Sequence, residues 1–227
     1  MPQSGFEDGF TLASSGSLDT WVKEIFAKVP GAVEGYIYDQ LKLVVKDFFQ
    51  RTKAWQTYTG PWTALADDGT ITLNPIDSTS AVIQVLTVVR NGSPLTPVSP
   101  RSVPFLIVND TSSSKSPSRY YTEPYDVIKL FPVPSEDVED IYVGVALTPR
   151  LHCDNHIEQW VIDQCYEAVL AGTLQRLYQE PSKVYSNAAS AEYWGKRYRS
   201  ELARSRSVAS QNYAQTANPW SYPTWSR

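Results

Sequence analysis

Catalysis and metal binding need nucleophiles, acid–base pairs or metal ligands at workable spacing, and one stretch of this sequence gathers them. His152, Cys153, Asp154 and His156 fall close together, and Cys165 follows nine residues later. Tetrahedral zinc takes His and Cys ligands, and the gap between the two histidines suits one metal. The set stops short, however. It has no Cys-x-x-Cys pair, and Cys165 would sit two to three turns along the helix that begins here. Polar residues at a helix entry and a core cysteine account for the same pattern. His152 and His156 are also the only histidines, so a Ser-His-Asp or Cys-His arrangement would have to use one of them. A second cluster, Glu136, Asp137, Glu139 and Asp140, could supply paired carboxylates, but its setting reads as a solvated turn between strands. Phosphate-cradling and nucleophile-elbow glycine patterns are missing from the sequence. The expectation is a protein with no catalytic residues, no cofactor and no metal, and hence not an enzyme.

The elements that would position these groups follow from hydrophobic period. Residues 1–16 are rich in Gly and Ser and read as a flexible arm. Ser17 or Asp19 reads as a helix cap ahead of Leu18, Val22, Ile25, Phe26 and Val29, which recur at helical spacing, and Pro30-Gly31 ends that helix. A second helix is expected over residues 33–53. Its stripe is Ile37, Leu41, Val44, Val45, Phe48 and Phe49. The short link predicts an antiparallel hairpin of the two.

After Trp55 the period changes to two. Strands are expected over residues 70–73, 82–89, 103–108, 127–131 and 141–147, with Asn91-Gly92 as a type I′ hairpin turn. Eight prolines between Pro94 and Pro134 exclude a helical reading. Helices return from residue 155 to about 179, with Cys165, Ala168, Val169 and Leu177 inward, and again after a cap at Ser186 or Asn187. The last helix carries Ala191, Trp194, Tyr198 and Leu202 on one face and Lys196, Arg197 and Arg199 largely outside it. Residues 207–227 read as an extended tail.

These elements predict an α+β protein. A four-helix bundle, residues 17–54 and 155–206, forms from the N- and C-terminal helix pairs, and an antiparallel β domain, residues 56–149, is inserted between them. With 42% hydrophobic and 19% charged residues in 227, the chain is too apolar for disorder. No apolar run reaches the ~20 residues that cross a bilayer, and no signal-peptide layout opens the sequence. Charge is unevenly spread. Residues 182–227 hold seven Lys/Arg against two Glu, a local +5, so residues 1–181 carry −9 of the total −4. Such polarity suits a protein whose ends meet different partners.

Several stretches taken in order resemble a known family. They are residues 41–55 (LKLVVKDFFQRTKAW), 85–95 (VLTVVRNGSPL), 128–134 (IKLFPVP), 143–149 (VGVALTP), 168–177 (AVLAGTLQRL) and 181–187 (PSKVYSN). Together they resemble the head-to-tail adaptor (connector, or head-completion) proteins of tailed bacteriophages, over roughly residues 18–206. The resemblance implies a virion protein assembled in the host cytoplasm. Twelve copies would form a ring under the portal at the capsid vertex, where it extends the DNA channel and docks the next tail component, a nozzle, stopper or tail-completion protein. A closed ring needs a heterologous interface, and Tyr178, Tyr193 and Arg197 are the candidate ring flanks. It also implies a C-terminal extension that reaches the portal, for which Tyr213, Trp220, Tyr222 and Trp225 are suitable anchors because an ordering segment needs a few large side chains. The alternative is a nucleic-acid-binding protein. Lys196, Arg197, Arg199, Arg204 and Arg206 would meet phosphates and the tail aromatics would stack on bases.

Overall fold

The computed structural model describes residues 15–73, 80–102, 116–123, 126–150 and 156–210. In chain order these form β1 (Ser15–Ser17), α1 (Asp19–Lys28), α2 (Glu34–Thr52), β2 (Trp55–Ala64), β3 (Thr70–Thr72), β4 (Ser80–Arg90), β5 (Ser93–Pro94) and β6 (Thr96–Pro97). A 3-10 turn at Pro100–Ser102 follows, then β7 (Arg119–Glu123), β8 (Val127–Phe131), β9 (Val138–Pro149), β10 (His156–Glu158), α3 (Gln159–Gln179) and α4 (Ala188–Ser210). The chain divides into two compact units. One holds residues 1–48, 77–80 and 149–199, and the other residues 49–76, 81–148 and 200–227.

The helical unit is organised around side chains that sequence period selects. Ile37, Leu41, Val44, Val45 and Phe48 of α2 are buried, as are Val22 and Ile25 of α1. Trp21, outside the expected stripe, is fully buried, whereas Phe26, inside it, is 52% exposed. Leu18, not Ser17 or Asp19, occupies the N-cap of α1, and it makes no side-chain cap bond. Trp21 Nε1 donates to the Tyr166 carbonyl at 3.0 Å, and its ring stacks on that of Tyr166 with centroids 5.6 Å apart. Close approach of α2, α3 and α4 depends on Gly172: a Cβ there would lie 2.7 Å from Val44 Cγ1 and 3.0 Å from the Tyr198 ring. Tyr198 in turn donates its hydroxyl to Asp47 Oδ2 at 2.8 Å. Asn187 caps α4, its Oδ1 accepting the Ser190 N–H at 3.0 Å. A short ladder pairs β1 antiparallel with β10, Gly16 opposite Ile157.

The β unit contains two four-stranded sheets, ordered β2-β9-β4-β5 and β3-β8-β7-β6. β2 and β9 run antiparallel from Trp55↔Leu147 to Ala64↔Val138. β6 and β7 lie parallel, with Thr96 opposite Arg119. Asn91 and Gly92 take φ values of 48° and 75°, the two positive angles a type I′ turn demands, and Arg90 pairs with Ser93 across it. Val88, Ile128, Leu130, Ile141, Val143, Val145 and Leu147 are each no more than 2% exposed, so this unit has a core of its own.

The expected four-helix bundle with a small inserted β region is therefore corrected. The described residues form four helices and two sheets of four strands each, 45% helical and 31% strand. The reason lies in the β unit's apolar content, which fills a core instead of decorating a bundle. Helix ends contribute to that unit as well. Residues 49–52 of α2 and 200–210 of α4 group with the strands, and Ala209 is 1% exposed, its carbonyl accepting Gln56 Nε2 at 3.1 Å. Residues 207–210, expected to open the tail, thus lie within α4. The expected strand over residues 103–108 falls outside the described residues.

Candidate interaction surfaces

α3 and α4 place the expected ring-flank residues in three different settings. Tyr193 projects from α4 with 59% of its surface exposed, its ring edge-on to Trp194 at 5.1 Å between centroids. Tyr178 is half-buried, and its hydroxyl donates to the Lys28 carbonyl at 2.9 Å, an internal tie between α3 and the end of α1. Arg197 is ion-paired with Glu167, and its guanidinium lies 5.5 Å from the Trp194 ring centroid. Tyr178 is tied to the end of α1 and Arg197 to α3, and of the three only Tyr193 is largely open to solvent. Beside them runs an open groove of about 390 Å³ between α3 and α4, lined by Gln175, Tyr178, Glu192, Gly195 and Arg199 among others. Tyr213, Trp220, Tyr222 and Trp225 lie outside the described residues.

Polar ties at the edge of the helical unit shift two titrations. The Tyr166 hydroxyl bonds Glu24, which lowers the Glu24 carboxyl below its ordinary value, with Lys28 adding to the effect against burial. The same tyrosine is pushed up to about 12, burial first and then Glu24. Cys165 is 1% exposed, and burial raises its thiol above the ordinary value, which disfavours the thiolate. His152, Cys153 and Asp154 lie outside the described residues. Among the described residues, no cluster of His, Cys, Asp and Glu could hold a metal ion.

The β unit carries a surface that the sequence did not announce. The last turn of α2, the start of β2 and the last turns of α4 enclose a cleft of about 530 Å³. It adjoins a wider hollow of about 890 Å³ along α2 and α4. Arg51, Lys53 and Arg206 line both, and among the described residues no carboxylate lines either. Tyr58, 69% exposed, and Leu86 supply apolar wall. Lys53, at φ 53°, forms the corner where α2 turns into β2. Arg51, Lys53 and Arg206 are separated by up to 155 positions, so only the fold gathers them. The one linear hint is Arg51-Thr52-Lys53 at the end of a helix.

At the other end of the β2–β9 pair two turns are fastened into one acidic tip. The Asp67 N–H donates to the Pro134 carbonyl at 2.8 Å, and the Ala66 N–H donates to Asp137 Oδ1 at 2.8 Å. Gly69, at φ 61°, packs so closely on Pro134 that a Cβ would sit 2.8 Å from Cδ. Asp67, Asp68, Glu136, Asp137, Glu139 and Asp140 are all exposed here, around Leu65 at 59% and Val133 at 44% exposure. The four carboxylates weighed above as paired acids therefore sit on an open surface.

Among the described residues no helix is long and apolar enough to cross a membrane. A comparison with protein families matches residues 17–221 to the family described as SU10 adaptor protein. A comparison with curated proteins finds no match.

Proposed function

The chain belongs to the SU10 adaptor protein family, and from that premise we propose that it joins head to tail in a tailed phage. Copies of the chain, twelve in this reading, close into a ring beneath the portal. The ring lengthens the DNA channel and offers the next tail component a docking surface. One observation carries the proposal: the family match runs from residue 17 to residue 221 and so takes in both the helical and the β unit. An adaptor's work is geometric. It must bury flank against flank and expose new faces, and large exposed side chains such as Phe26, Tyr193, Tyr58 and Tyr142 are of the kind such faces use. The protein would be assembled in the host cytoplasm and end in the virion neck, its partners being the portal, the next tail component and its own copies. The DNA in the lumen passes without specific contact.

Electron microscopy of the full chain mixed with its portal tests this. A closed ring seated on the portal is the expected result; a chain that stays monomeric beside intact portal overturns the proposal. Truncation after Ser210 removes the aromatic tail while sparing α4. It should leave a folded protein that no longer binds portal, and undiminished binding would dismiss the tail as anchor.

A further inference from the structure

We propose that the basic cleft around Lys53 and Arg206 receives the acidic tip of a second copy of this chain, so that the β units join head to tail around the ring. The inference rests on the adaptor reading above and names the surface that closes its ring.

Three observations lead to it. First, among the described residues the cleft is charged on one side of the balance only: three cations line it and no carboxylate does. Among the described residues neither Lys53 nor Arg206 has an ion-pair partner. Second, the tip has the complementary character, six exposed carboxylates around Leu65 and Val133. The cleft matches it in kind, cations beside Tyr58 and Leu86. Both pieces are built on tight backbone, Lys53 at its left-handed corner and the tip through its paired turns, so little ordering opposes their contact.

Third, the two features cannot satisfy each other within one chain. Tip and cleft lie at opposite ends of the same strand pair. Val138 borders the tip and Gly144 lines the cleft, six residues apart on β9, or roughly 20 Å at the rise of an extended strand. A surface and its complement held apart on a rigid frame make a heterologous contact, and such contacts generate rings when the rotation closes. Duplex DNA is the other polyanion that could enter the cleft. It leaves the acidic tip without a role, and the tip's apolar centre without a partner.

The test uses the full chain with its portal, reading ring closure by electron microscopy and native mass. Two variants reverse one side each: Lys53→Glu with Arg206→Glu in the cleft, and Asp67→Asn, Asp68→Lys, Glu136→Lys and Glu139→Lys together in the tip, which leaves three Lys against Asp137 and Asp140 there. The tip variant leaves Asp137, whose carboxylate holds the Ala66 N–H, untouched, and puts Asn, which tolerates positive φ, at residue 67. Each variant alone should need roughly tenfold or more protein to close rings, the scale of losing close charge pairs at an interface. An equimolar mixture of the two should recover closure, because each acidic cleft then meets a basic tip and each basic cleft an acidic tip. Recovery on mixing also shows that both variants are folded. If wild type closes rings and either variant closes them equally well, the inference is overturned while the adaptor reading stands. If wild type forms no ring, both fall. If the cleft variant keeps its rings but loses salt-sensitive affinity for a short DNA duplex, the cleft serves nucleic acid and the proposal is wrong.

Discussion

The helical unit and the β unit hold themselves together by different means. In the helical unit the ties run through side chains. Trp21 and Tyr198 bury their rings and Tyr166 and Tyr178 cover theirs in part, and each spends its polar tip on a carbonyl or carboxylate from a distant helix. In the β unit the constraint is in the backbone. Among the described residues, Lys53, Asp67, Asn91, Asp140, Gly60, Gly69 and Gly92 all take positive φ there, against Gly31 and Ser182 in the helical unit. The lesson is that one unit should be sensitive to side-chain volume and the other to the geometry of a few corners.

Substitutions can break that contrast or sharpen it. The largest effect is expected from Trp21→Ala, which removes a fully buried ring, its stack and its bond to Tyr166. A loss of about 3–5 kcal/mol in denaturant unfolding is the expected cost, and a loss under about 1 kcal/mol would remove the aromatic tie from the account. Next comes Gly60→Ala in the β unit. Gly60 has φ 136°, and a Cβ would lie 2.6 Å from the Ile141 carbonyl, so about 1–3 kcal/mol should go, again by denaturant midpoint. Gly35→Ala in the first turn of α2 meets nothing within 4 Å and should not destabilise; equal losses at the two glycines would erase the contrast. Smaller still, Asn187→Ala deletes the cap of α4 and should cost about 1 kcal/mol.

The weakest effect is a pH dependence confined to the helical unit. The folded Glu24 carboxyl titrates below its ordinary value, chiefly because Tyr166 bonds its charged form. Its contribution is therefore complete above the unfolded carboxylate pKa and is lost as pH falls through the lowered folded value. Glu24→Gln should flatten that part of the acid-stability curve. An unchanged slope between wild type and variant counts against the Tyr166–Glu24 bond.

How much of this the sequence disclosed depends on where the physical signal lay. α2 is legible because one apolar stripe at helical period is also the buried face, residue for residue. The Asn91-Gly92 turn is legible because few residues tolerate two positive φ angles in succession. β2 hides. It is an edge strand with buried residues only at its ends, Trp55 and Ala64, and Gly60-Pro61 in its middle reads as a turn though an edge tolerates it. β10 was absorbed into the following helix, since three residues are too few to show a period. The last turn of α4 hid as well, because Ser, Ala and Arg give no apolar stripe there and its order comes from a tertiary contact at Ala209. The flanking residues were legible as types but not as exposures: Tyr178 looks like Tyr193 in sequence and is tied inward. The basic cleft and acidic tip were legible only in part, the tip as a run of carboxylates and the cleft hardly at all, because its cations come from opposite ends of the chain.

The stack of Trp21 on Tyr166 spans 145 positions, and this has a bearing on biosynthesis. As the chain leaves the ribosome, α1 emerges early with Trp21, Val22 and Ile25 uncovered, and the partner helix arrives only after some 150 further residues. At ~5–20 residues per second that interval is roughly 8–30 s. The strands between them can pair during the wait, so translation itself sets an order in which strand pairing can precede the closing of α1 on its partner helix.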